Sequence, residues 1–70
     1  MDTKLLKAKM VLAGKTVKTL CEETGMAEST FYKKLRGVTE FTKPEIEMIA
    51  KSTKMTPDEM LKIFFGNMVA

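Results

Sequence analysis

Between Ala27 and Arg36 the chain interleaves two kinds of side chain. At the roughly 100° per residue of an α-helix, Ala27, Phe31 and Leu35 fall on one side, and Glu28, Ser29, Tyr32, Lys33 and Arg36 form a continuous arc opposite. Every member of that arc carries a hydrogen-bonding or charged group. Lys33 can donate to guanine, Glu28 can accept from the amino group of cytosine, and Ser29 or Thr30 can do either or touch a thymine methyl. Tyr32 offers a ring that stacks and a hydroxyl that reaches phosphate, and Arg36 puts a cation at the far end of the helix. Lys15 and Lys43 each stand where a helix is expected to begin, beside the free amides that make helix N-termini anion sites.

Catalysis has much less to work with. The chain has no histidine, one cysteine, no glycine-rich phosphate loop and no pair of carboxylates presented to an evident pocket, so neither an enzyme nor a metal or cofactor site is expected. Cys21 reads as a small core residue, since a reactive thiol needs a cationic, partly exposed setting. The seven methionines read as adaptable core packing. The arc has plainer readings too: Lys33, Lys34 and Arg36 form a solvated face in the ordinary run of proteins, and Glu28 can serve as a helix N-terminal charge or exclude wrong sequences.

The elements that would hold this arc in place are helices. Aliphatic and aromatic residues recur at three- and four-residue intervals, and no segment alternates as a half-buried strand would. A first helix is expected from Thr3 to Ala13, with Leu6, Met10 and Ala13 along one stripe, Leu5 and Leu12 beside it, and Gly14 closing it. A second starts near Thr16, sets Val17, Leu20, Cys21 and Thr24 on one face, and stops at Gly25. The third spans Ala27 to Arg36, with Gly37 after it. Thr42-Lys43-Pro44-Glu45 and Thr56-Pro57-Asp58-Glu59 both have the form of a capping box with proline in the first turn, and each opens a helix. The fourth helix turns Ile46, Ile49 and Ala50 inward. The fifth turns in Leu61, Phe64, Phe65 and Met68, although adjacent Phe64 and Phe65 cannot both face one core. One of the two, with Met68 or Val69, covers either a partner subunit or the end of the chain's own core.

Seventy residues make one domain, expected over residues 1–70. The 44% apolar residues fill a core, and no apolar run nears the roughly 20 residues that cross a membrane. A lone cysteine and the lack of a signal-peptide pattern suit a reducing cytoplasm. Twelve basic against nine acidic residues leave a net charge of +3, and its placement is uneven. Met1 to Gly37 holds eight basic and four acidic residues, and the remainder is slightly acidic, so the excess positive charge lies in the N-terminal half.

A tight turn at Gly25, the small Cys21 one turn earlier, Phe31 six residues later, and Leu20 with Leu35 beside them form the wedge that a helix-turn-helix requires. The stretch Thr16 to Gly37, followed by Phe41-Thr42-Lys43-Pro44-Glu45-Ile46, resembles the Cro and repressor (XRE-like) family of phage and bacterial regulators, in particular short phage regulators of Gram-positive hosts. The resemblance covers about Leu5 to Gly66. It implies an all-α, five-helix lambda-repressor-like domain whose second and third helices form the helix-turn-helix, and a dimer bound to double-stranded operator DNA. By position it implies base readout by Glu28, Ser29, Tyr32 and Lys33, with Lys15, Thr16, Thr30, Arg36 and Lys43 near the DNA backbone. Two positions depart from the family pattern: Val17 stands where a phosphate-binding glutamine is usual, and Lys34 stands where an aliphatic residue is usually buried, which leaves that packing to Leu35.

Two functions are weighed on this basis. One is a DNA-binding transcriptional regulator, dimeric through the fifth helix and the C-terminal tail. The other keeps the fold but changes the partner, as a modulator or antirepressor that binds another repressor protein.

Overall fold

The computed structural model describes residues 1–66, and these fold into five α-helices: α1 Thr3–Leu12, α2 Val17–Thr24, α3 Glu28–Leu35, α4 Lys43–Ser52 and α5 Pro57–Phe65. There is no strand among the described residues. Helices of eight to ten residues are marginal alone in water, so packing must hold them. Helix α2 lies against both α3 and α4, and α5 lies against α1 and α4. One core results, made of Leu6, Met10, Leu20, Cys21, Phe31, Leu35, Ile46, Ile49, Ile63 and Phe64.

The starts of the helices are written in the sequence. Asp2 accepts a hydrogen bond from the Leu5 amide at the head of α1, and the Thr42…Glu45 and Thr56…Glu59 boxes close reciprocally as expected. Thr16 caps α2 as expected, but its box is closed by Thr19, whose hydroxyl accepts from the Thr16 amide at 2.8 Å. The ends follow one rule. In α1, α2, α3 and α4 a residue with positive φ stands after the last turn, and the amide beyond it returns to a carbonyl five residues back: Lys15 to Met10, Met26 to Cys21, Val38 to Lys33 and Met55 to Ala50. Glycine occupies that position in the first three, at φ +74° in the case of Gly25, where the chain must reverse between α2 and α3. Lys54 occupies it in α4, at φ 55°.

Several expectations about burial are corrected. Leu12 is 81% exposed and Ala13 is the half-buried C-cap, because the core side of α1 is set by Leu6 and Met10 against α5 and ends one turn short of them. Ala27 is the exposed N-cap of α3 with extended backbone, so it lies outside the helical wheel on which it was placed inward. On α5 the buried stripe is Ile63 and Phe64 with Met60 partly covered, and Leu61 points outward. Two stripes one residue apart are both apolar there, and docking on α1 and α4 selects between them. Phe65 sits at the rim of the core. Met68, Val69 and the tail lie outside the described residues.

A chain of rings joins the third helix to the fifth. Phe31 and Phe41 meet edge to face at 5.5 Å, and Phe41 meets Phe64 in the same way at 5.6 Å. Thr3 donates to the Leu35 carbonyl at 3.4 Å, and the Asp2 amide donates to Ile63 at 2.7 Å, which ties the start of α1 to the ends of α3 and α5.

The shared helix ending makes a paired prediction. Lys54→Gly relieves the cost of a left-handed backbone at a side chain exposed to water and is expected to raise the unfolding free energy by about 1 kcal/mol. Gly25→Ala imposes that cost in open space and is expected to lower it by about the same amount, as read from urea midpoints at equal m-value.

Candidate nucleic-acid interface

The segment from Thr16 to Leu35 folds as a helix-turn-helix because its inner residues can close on one another. Leu20 and Cys21 from α2, and Phe31 and Leu35 from α3, are all buried around the Gly25 turn, while Val17 and Met26 pack partly against them. Leu35 thus fills the packing role expected of it. Cys21 is sealed in this wedge, and burial first, then the nearby Glu28 carboxylate, pushes its thiol pKa up. It is packing, and no group there favours the thiolate.

With one side of α3 committed to the core, the other side faces out. Glu28, Ser29, Lys33 and Arg36 are exposed, Tyr32 is 46% exposed, and Thr30 is half-buried at the margin. The five expected arc residues are therefore brought together on one surface. No side chain caps the amides at the start of α3 among the described residues, and Glu28 is the acidic residue of the first turn, placed to compensate the helix dipole. Lys33 and Arg36 have no carboxylate partner among the described residues. At the head of α2 the box uses the amides of Thr16 and Thr19, so those of Val17 and Lys18 find no acceptor among the described residues. Thr16 is exposed but its hydroxyl is occupied by the cap, and Lys43 is exposed at the start of α4 with no carboxylate partner among the described residues.

Two cations are not free. Lys15 is paired with Glu23 at 2.9 Å, and the Ser52 hydroxyl of α4 donates to the same carboxylate. The Lys15 ammonium and then Ser52 hold Glu23 below the ordinary carboxylate value. Lys34, part of the basic run, turns back to Glu45 on α4 and lies over the Phe41 ring, 5.9 Å from its centre. The Glu45 oxygen that takes Lys34 also accepts the Thr42 amide at 2.8 Å. Burial opposes its charge, but Lys34 and the Thr42 groups outweigh that, and the Glu45 carboxyl sits below its ordinary value. A third pair, Lys9 with Glu59 at 2.9 Å, joins α1 to α5. These partners stand eight to fifty residues apart in sequence, where no local pattern announces them.

The described residues contain no group of three or more possible metal ligands, and no helix of the described chain is long and apolar enough to cross a membrane. The sequence pattern of the Cro/C1-type HTH DNA-binding domain matches residues 5–65 of the chain. No curated protein and no solved structure matches it significantly.

Because Glu45 both caps α4 and holds α3 through Lys34, its charge contributes to stability. A carboxyl whose folded value is depressed stabilises the fold above its unfolded pKa, and that contribution is lost as the pH falls through the ordinary carboxylate range, about 4, and below it. Glu45→Gln is expected to be less stable than the native chain at neutral pH and to converge with it in acid. Chemical denaturation across that range checks it, and parallel curves would contradict it.

Proposed function

Since the chain belongs to the Cro/C1-type helix-turn-helix DNA-binding family, a DNA-binding rather than an enzymatic one, we propose that it is a transcriptional regulator that binds operator DNA as a homodimer. Helix α3 enters the major groove with Glu28, Ser29, Tyr32 and Lys33 against base edges. Thr16, Thr30, Arg36, Lys43 and the open amides of Val17 and Lys18 lie along the phosphates. The observation that carries this reading is the division of α3: its apolar side is wholly spent in the wedge, and its hydrogen-bonding side is exposed and unpaired. An operator with two-fold related half-sites about one helical turn, roughly 34 Å, apart follows from a symmetric dimer. Leu61, 49% exposed on α5, supports a contact between subunits on that helix, together with the tail beyond residue 66. A short regulator of phage type acting in the cytoplasm fits this picture.

A second reading has its own observation. Val11 and Leu12 are 76% and 81% exposed at the end of α1, an adjacent apolar pair of the kind that partner proteins cover, and this suits a modulator or antirepressor of another repressor.

Selection from random duplexes by gel shift at fixed salt separates the two. A sequence-preferring complex is expected, in which Lys33→Ala loses about 1–3 kcal/mol of discrimination at particular base pairs. Lys43→Ala is expected to weaken all sequences alike and to flatten the salt dependence by about 0.9 in log–log slope. Equal affinity for unrelated duplexes overturns the regulator reading, and retention of a repressor protein without DNA supports the modulator.

A further inference from the structure

Lys15 stands beside the Thr16 cap of α2, where the helix dipole and two open amides already make the surroundings electropositive. An ammonium is disfavoured there. It is drawn instead toward the far half of α2, where Glu23 takes it at 2.9 Å. Glu23 is itself fixed from a third direction, since Ser52 at the end of α4 donates to both carboxylate oxygens at 3.0 Å. The neighbouring Glu22 is exposed and makes no ion pair among the described residues, so the arrangement belongs to Glu23 in particular.

We propose that Glu23, braced by Ser52, withholds Lys15 from the phosphate backbone and so limits the affinity of the helix-turn-helix for DNA. This rests on the reading of the chain as a DNA-binding regulator and deepens it: the phosphate at the head of α2 is met by backbone amides, with the lysine beside them held in reserve. Glu23 acts through Lys15 and is a positioning residue. A regulator whose non-specific binding is restrained in this way gives up attraction that is indifferent to sequence, the part supplied by phosphates, and keeps the contacts made by α3.

The test is the dependence of binding on salt for one fixed duplex, with helicity checked by circular dichroism. Glu23→Gln keeps an acceptor for Ser52 and releases Lys15. It is expected to bind more tightly at low salt, with a log–log slope steeper by about 0.9, the value of one added phosphate contact. Glu22→Gln removes the same charge from the next position and is expected to leave the slope as it is. The Lys15→Ala/Glu23→Gln double variant is expected to lose the gain. A Glu23→Gln slope no steeper than that of Glu22→Gln, or a gain that survives without Lys15, overturns the proposal while leaving DNA binding intact. Failure of every variant to bind any duplex overturns both this proposal and the regulator reading.

Discussion

The fold depends on closing the angle between α2 and α3. Neither helix is longer than eight residues, and neither would persist alone, so each exists because Leu20, Cys21, Phe31 and Leu35 exclude water together at the Gly25 turn. Helix α4 seals the wedge by lying against α2. The exposed hydrogen-bonding face of α3 follows from this closure, since it is the side the core did not use. A domain of this size has little stability to spare, and the same few side chains must both fold the chain and aim its surface.

Charge is divided in a corresponding way. Lys9, Lys15 and Lys34 are tied to carboxylates on other segments, where they join α1 to α5, the α1–α2 turn to α2 and α3 to α4. Lys33, Arg36 and Lys43 have no such partner among the described residues and face solvent. The excess of cations in the N-terminal half thus includes three lysines that each face a carboxylate. The more exposed pairs, Lys9 with Glu59 and Lys15 with Glu23, contribute little to stability individually, whereas the better covered Lys34–Glu45 pair fastens α3 to α4.

What could be read from the sequence is what is local. Helix starts are coded within four residues, and the Thr42 and Thr56 boxes appear where their spelling placed them. The helix-turn-helix could be read for the same reason, because its glycine, small residue and aromatic fall within eleven positions. Three features could not be. Ile63 and Leu61 both lie on apolar stripes of α5, and only the neighbouring helices decide which is covered. Lys34 read as one of a basic run until Glu45, eleven residues on, gave it a partner. Lys54 took a glycine's backbone without a glycine's signature. In the site, the exposed arc from Glu28 to Arg36 followed from helical geometry alone, and the engagement of Lys15 did not.

The sulfur of Cys21 is the chain's only thiol, sits inside the wedge, and is held further from ionisation by burial and by Glu28. An alkylating reagent can reach it only when the two helices swing apart. The rate at which the label attaches therefore acts as a clock for that opening. DNA that clasps both helices should slow the clock, and a ligand seated elsewhere should leave it running.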